Sequence, residues 1–440
     1  MNVISSFRAA QAYLLETIDE SVSRRTSYKL DRMRAFLHEL GDPQAAYPTI
    51  HVGGTSGKGS TATMIAAALR GAGKRTGLHT KPHLRSMTER ARIDGEAISP
   101  ERFASVLDRM MPAIERTAAQ HGRPTYYETL LALAFAYFAE ERVDVGVIEV
   151  GLGGRLDGTN VLHPAVAAIT SVGYDHTDVL GTTLEAIARE KAGIAKRGVP
   201  LVVAPVPPAA RDVIVRYAAE VGAPVIHAGD VVRVESEAPE PARRQTLVLR
   251  TATSVYRLTL PVLGIFQRVN AATAIAVLEQ LAPELRPAAD AVARGLANLE
   301  IPGRMELFSG TPAVLFDIAH NAEKAESLVA SLRESFAGRR VHYVVAISES
   351  KDARSILEIL AGVPATFTFT SFTVSGRRAM APGRLATMAE SLGRWGRAID
   401  DPVEAFTVAR RTAAFEDVIV VTGSTFVVAA LREWFAPTAV

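Results

Sequence analysis

The chain has 440 residues, room for two or three domains, and a formal net charge of +2 that advertises no polyanion-binding surface. It contains no cysteine, which excludes disulfides, thiolate catalysis and cysteine-ligated zinc or iron–sulfur centres. Met1 to Glu20 lacks a signal-peptide core, and the most apolar helical run, Leu130–Ala139, is too short to span a bilayer. A cytoplasmic protein with neither nucleic acid nor membrane as partner is expected.

Apolar β-rich runs alternate with helical segments along the chain, the pattern of an α/β architecture with mostly parallel sheets. Strands are expected at Thr49–Val52, Arg75–Thr80, Val143–Val150, Ala165–Thr170 and Pro200–Val203. Helices are expected between them, including Pro100–Gln120 and Tyr126–Glu141. Val225–Leu260 reads as β-rich and polar, with antiparallel strands at Thr246–Leu249 and Tyr256–Leu260 and an exposed turn over Glu235–Arg244. A helix over Val269–Leu281 follows. Pro302 and Gly303 punctuate the chain after Leu299 and suggest domains of residues 1–298 and 299–440. The second part repeats the alternation, with strands at Ala313–Asp317, Val341–Ile347, Thr366–Phe372 and Val418–Thr422. Its helices are expected at Glu323–Phe336, Asp352–Leu360 and Thr425–Phe435.

The most informative stretch is His51–Thr61. A short strand runs into Gly53-Gly54-Thr55-Ser56-Gly57-Lys58-Gly59-Ser60-Thr61, and an apolar helical run follows. Strand, glycine-rich turn with Gly-Lys, then helix is the layout of a phosphate-binding loop, whose backbone N–H groups converge on phosphate oxygens at a helix N-terminus. Lys58 is placed to reach terminal phosphates, and a hydroxyl from Ser60 or Thr61 to hold Mg²⁺. The match to the common nucleotide pattern is imperfect, with Val52 where that pattern has Gly and Gly59 where it has Ser or Thr.

Other candidates stand at expected strand ends, where ligands of parallel sheets bind. Glu149 closes one strand ahead of Gly151-Leu152-Gly153-Gly154, a carboxylate suited to Mg²⁺ between nucleotide phosphates. His176 lies between Asp175 and Asp178, a plausible metal-binding set. Asp317 and His320 follow a strand of the second part, and Asn321 is placed to cap the next helix. Arg304 lies just past the expected boundary.

Together these residues resemble the folylpolyglutamate synthase and dihydrofolate synthase branch of the Mur ligase family. The resemblance runs from about Tyr28 to Phe435. It rests on the His51–Thr61 loop, Pro82-His83-Leu84 with Glu89-Arg90, Tyr127-Glu128, Glu149–Asp157 with Thr159-Asn160, and Asp175–Asp178. Arg189–Ile194, Gln267 with Asn270, Pro302–Arg304, Asp317 with Ala319–Asn321, and Thr422-Gly423-Ser424 complete it. The fold it implies is α/β: a P-loop ATP-binding parallel-sheet domain followed by a smaller Rossmann-like domain.

The activity implied is ATP-driven amide ligation. A carboxylate becomes an acyl phosphate, the amine of glutamate attacks it, and phosphate leaves. Gly54, Thr55, Ser56, Gly57, Lys58, Gly59, Ser60, Thr61, Gln267, Asn270, Arg304 and Asp317 would bind ATP. Ser60 and Glu149 would hold a first Mg²⁺, and His176 and a carbamylated Lys191 a second. Lys58, Lys191 and His320 are the implied catalytic residues. Lys81, His83, Glu89, Arg90, Tyr127, Arg155 and Asp157 would face the glutamate and the pteroate- or folate-like acid.

Two positions depart from the family pattern. Lys81 stands where a serine usually contributes to the first Mg²⁺ site, and Phe266 where a histidine commonly precedes Gln267. They leave open a related ligase with another carboxylate. A nucleotide-binding protein without turnover is a separate alternative, against which Glu149, His176, Lys191 and His320 argue. A monomer is the default.

Overall fold

The computed structural model of the chain describes residues 4–17, 30–236, 244–374 and 376–435. It is α/β throughout, as expected. The chain divides into two compact units. One comprises Met1–Glu235, Leu247–Leu258 and Val269–Asn298; the other comprises Ser236–Thr246, Thr259–Arg268 and Leu299–Val440.

The first unit is built on eight strands: β1 (Thr49–Gly53), β2 (Thr76–His79), β3 (Arg92–Ile93), β4 (Glu96–Ala97), β5 (Val145–Glu149), β6 (Val166–Ile169), β7 (Leu201–Val203) and β8 (Val225–His227). Their order is β4-β3-β2-β5-β1-β6-β7-β8. The six strands from β2 to β8 in that row are mutually parallel, while β3 and β4 add an antiparallel edge. β1 and β5 are buried at every position, which is why both read as unbroken apolar runs rather than alternating ones. β8 corrects the sequence reading: it pairs parallel with β7 and closes the large sheet instead of opening the polar β region.

Two helices, Pro100–His121 and Tyr126–Glu140, build the main core with Ile148. Ser99 caps the first through Arg102 N–H, with Pro100 at the first helical position. Thr125 and Glu128 form a reciprocal capping box at the second. Glu128 also takes both ends of the buried Arg32 guanidinium, at 2.9 and 3.1 Å. The helix Lys58–Gly71 packs against the helix Ala289–Leu296 through Gly71 and Gly295. A Cβ on Gly295 would run into the Ala67 carbonyl oxygen, and one on Gly71 into that of Ala291.

A three-stranded sheet of β9 (Arg233–Ser236), β10 (Gln245–Arg250) and β11 (Val255–Leu260) has the order β11-β10-β9. Most of the turn expected over Glu235–Arg244, residues 237–243, lies outside the described residues. The expected helix after it begins three residues early, as Phe266–Leu278.

In the second unit six strands run in the order β12-β13-β17-β14-β15-β16: β12 (Glu306–Phe308), β13 (Ala313–Phe316), β14 (Val341–Val345), β15 (Ala365–Phe369), β16 (Gly396–Ala398) and β17 (Val418–Thr422). All are parallel except β12. Helices Ala322–Ser335, Ala353–Leu360 and Pro382–Ser391 pack into its core. Among the described residues no helix is long and apolar enough to cross a membrane.

Candidate active site

β1 delivers Gly53 at the carboxyl edge of the large sheet, and the chain turns there. Gly57 has φ of 80°, a left-handed conformation that favours glycine, and Lys58 opens the helix Lys58–Gly71. The loop is braced by the end of β6. Thr55 N–H donates to Ser171 O at 3.0 Å, and Ser56 N–H to Ser171 Oγ at 2.7 Å. The Thr170 hydroxyl donates to Gly53 O and Ser56 O, at 3.1 and 2.6 Å. The ammonium of Lys58 spans the loop to Gly54 O and Thr55 O, at 3.0 and 3.1 Å. Asn270 lies against the turn, so that a Cβ on Gly57 would meet its Oδ1.

Glu149, at the end of β5, is buried beside the first turn of that helix. A Cβ on Gly59 would stand 3.2 Å from its Oε2. The same oxygen accepts the backbone N–H of Lys81 at 2.9 Å. Lys81 thus reaches this place through its main chain, whatever its side chain does. Ser60 and Thr61 are both buried, and Thr61 Oγ1 has no hydrogen-bond partner among the described residues. Among those residues no three of His, Asp and Glu gather into a metal-binding cluster. The residues still fit Mg²⁺, which commonly keeps its waters and takes one or two carboxylates plus substrate phosphates. Glu149 supplies the carboxylate and the loop the hydroxyls.

The loop after β2 brings further candidates together. His83 Nδ1 accepts from Arg90 Nε at 3.0 Å, and the Arg90 guanidinium lies over the Tyr126 ring, 5.6 Å from its centre. Burial, then the Arg90 charge, lower the His83 pKa to about 4, so this imidazole is neutral at pH 7. Glu89 is turned inward. Its carboxylate accepts the N–H groups of Leu84, Arg85 and Ser86, at 3.0, 2.8 and 2.9 Å. Those bonds hold its pKa down against burial. Its evident part is to shape the loop, and the capping-box pattern from Ser86 to Glu89 is the sequence signal for it.

Tyr127 and Asp157 form a pair, with the phenol donating to Oδ1 at 2.9 Å. Burial, then the Asp157 charge, raise the phenol's pKa well above its usual value, which keeps it a donor. Arg155 points to Glu190 at 2.7 Å, with its side chain nearly half exposed. Lys191 is buried near the end of the helix Leu184–Ala192. His176 has φ of 52° and its Nε2 lies 3.9 Å from Asp175 Oδ1.

In the second unit Asp317 follows β13. Its oxygens accept Met305 N–H at 3.0 Å and Ala319 N–H at 2.8 Å. Burial raises its pKa, and the nearby Arg304 charge works against that rise. His320 donates from Nδ1 to Ile318 O at 2.8 Å, which leaves Nε2 toward Lys324 Nζ at 3.3 Å. Asn321 caps the helix Ala322–Ser335 through Lys324 N–H at 3.0 Å, as the sequence led us to expect. Gln267 is fully buried. Sequence reasoning missed Thr170 and Ser171, whose roles appear only when distant segments meet, and Lys324, which stands four residues after His320.

A parallel sheet carrying a glycine loop, a loop lysine and a strand-end carboxylate defines the phosphate-loop class of α/β proteins. The chain belongs to the Mur ligase family. Residues 52–278 match the Mur ligase middle domain, and residues 303–425 the Mur ligase, glutamate ligase domain. It is 34% identical to the dihydrofolate synthase/folylpolyglutamate synthase of Bacillus subtilis, covering 92% of this chain and 94% of that one. The folylpolyglutamate synthase of Mycobacterium tuberculosis complexed with ADP superposes with a TM-score of 0.90 at 32% identity, over 99% of both chains. Escherichia coli FolC in complex with DHPP and ADP gives 0.85 at 30% identity, again over 99% of both.

Proposed function

We propose that the chain is an ATP-dependent carbon–nitrogen ligase that adds L-glutamate to dihydropteroate, to folates, or to both. The observation that carries the reading is the carboxylate of Glu149 beside the first turn of the phosphate-loop helix, on a fold shared along the whole chain with relatives of that activity.

In this reading the loop N–H groups and Lys58 bind the triphosphate, and Asn270 borders it. Ser60 and Glu149 would hold one Mg²⁺, and His176 with Lys191 a second, and ions so held would neutralise phosphate charge. Lys191 would contribute as a carbamate, formed with CO₂ and loss of a proton, which turns a buried cation into an anionic metal ligand. The acceptor carboxylate attacks the terminal phosphorus and ADP leaves. The glutamate amine then attacks the acyl carbon, loses a proton, and expels phosphate. Arg304, Asp317 and Gln267 bind nucleotide, and His320 stands by the terminal phosphate. His83, Arg90, Tyr127, Asp157 and Lys81 position the two substrates. Positioning and charge stabilisation dominate such chemistry. The same reading makes the protein a cytoplasmic monomer that meets small molecules only.

The test is phosphate release from ATP with Mg²⁺ and glutamate, in the presence of dihydropteroate or tetrahydrofolate. Acceptor-dependent release is expected. Release with neither, but with another carboxylic acid, would transfer the chain to a related ligase.

A further inference from the structure

Between Glu149 and Asp157 the chain makes the turn Gly151-Leu152-Gly153-Gly154, and this turn is latched on both flanks. Asp157 Oδ2 accepts Leu152 N–H at 2.8 Å. Asp157 Oδ1 accepts Thr159 N–H at 3.0 Å, the Thr159 hydroxyl at 2.6 Å and the Tyr127 phenol at 2.9 Å. On the other flank Arg155 N–H donates to Glu190 O at 2.8 Å. Asn160 Nδ2 donates to Arg155 O and Gly193 O, at 2.9 and 3.0 Å. One end of the turn is therefore the strand end that carries Glu149. The other is tied to the helix end that carries Lys191.

The proton directions follow from the donor inventory. A carboxylate only accepts, so the Thr159 hydroxyl gives its proton to Asp157. The Thr159 oxygen is then an acceptor for His51 Nε2–H, 2.8 Å away. His51 is fully buried on β1, the strand that feeds the phosphate loop. Burial lowers its pKa to about 4, so at neutral pH it carries one proton. A hydroxyl that would rotate freely in water is thus fixed from both sides.

We propose that Thr159, keyed by the buried His51, is a positioning residue: it holds Asp157, and through it the turn that sets Glu149 against the helix end bearing Lys191, a spacing on which divalent-cation binding depends. The proposal rests on the ligase reading above.

The test is Mn²⁺ binding in the presence of ADP, followed by electron paramagnetic resonance. It is run on Thr159→Val, which removes the hydroxyl and keeps the shape, and on Thr159→Ser, which keeps the hydroxyl. His51→Leu and His51→Gln, the second retaining an N–H donor, test the key residue without touching Thr159. Amide exchange at Leu152 reports the latch itself. We expect Thr159→Val to weaken Mn²⁺ binding about tenfold and to speed exchange at Leu152, with metal-free ADP binding unchanged. Thr159→Ser restores both properties, and His51→Gln restores more than His51→Leu. A Thr159→Val protein that binds Mn²⁺ like the wild type overturns the proposal, even if its melting temperature falls. A wild-type protein that binds no Mn²⁺ with ADP removes the ligase reading and this proposal with it, while exchange at Leu152 still shows whether Thr159 latches the turn.

Discussion

On the proposed reading, Lys58 is the side chain whose loss is expected to cost most in rate. Its ammonium already spans the loop, 3.0 Å from Gly54 O, so it is preorganised at a helix start where phosphate charge would sit. Removing one preorganised charge of this kind costs ~10²–10³ in rate. Lys58→Ala is therefore expected to lose that much phosphate release while its circular dichroism spectrum stays unchanged; near wild-type turnover would take Lys58 out of the site. Lys191 makes a different demand. If it is carbamylated, electron density at high resolution extends past Nζ, Lys191→Ala is nearly inactive, and stripping CO₂ and bicarbonate slows the wild type. A bare ammonium together with a fully active alanine variant would dismiss the modification. Lys81 separates main chain from side chain. Lys81→Ser keeps the N–H donated to Glu149, so any change belongs to the lost charge. A unit charge about 4 Å from a phosphate is worth a few kcal/mol at an intermediate dielectric. We expect altered Mg²⁺ dependence or acceptor preference without loss of stability. Superimposable Mg²⁺ titrations across several acceptors would show surface charge only.

The elements were legible where local chemistry is strong. Lys58 opens its helix directly after the glycine turn, and β17 has the bounds read from the sequence, because both are set by a few consecutive residues. The edge hairpin of β3 and β4 was overlooked. Its two strands are too short to show periodicity, yet Asp94-Gly95 between them, both at positive φ, is a strong hairpin signal. β8 was misassigned because three residues do not reveal whether their partner is parallel. At the candidate site, the loop, Glu149 and Asn270 were readable as residue types in order. The inward turn of Glu89 had a local signal, the capping-box spacing from Ser86, that was passed over; the chain from His51 to Thr159 had none, since it joins positions 108 apart. Nor did the sequence single out Gly295, although its helix depends on it. Gly295→Ala would gain up to about 1 kcal/mol of helix propensity. It would also force apart two helices in backbone contact, and overpacking of this kind costs typically ~1–3 kcal/mol, occasionally more. The expected outcome is a lower midpoint in urea unfolding; an unchanged midpoint would mean that the helices yield freely.

Two buried imidazoles, His51 and His79, and the partly buried His83 give the molecule a defined response to acid. Burial lowers each pKa from 6.5 to about 4, with the Arg90 charge adding to the effect at His79 and His83. The unfolded chain therefore binds more protons between those values. Stability is fully present above about pH 6.5 and is lost as pH falls toward 4. Each pKa unit corresponds to about 1.4 kcal/mol, so a fully buried imidazole removes up to about 3 kcal/mol across that window. Melting temperature should fall steadily below pH 6.5, and His79→Gln should flatten the slope; a flat wild-type profile would contradict the neutral buried state. The close crossing of Gly71 and Gly295 bears on how the protein is made. The helix that opens at Lys58 finds its seat on a segment more than two hundred residues further along the chain. During synthesis the glycine loop and the helix after it leave the ribosome early and wait for Ala289–Leu296 to follow. A nascent chain halted before that segment would present a protease-sensitive loop helix, and release beyond it would be the moment at which protection appears.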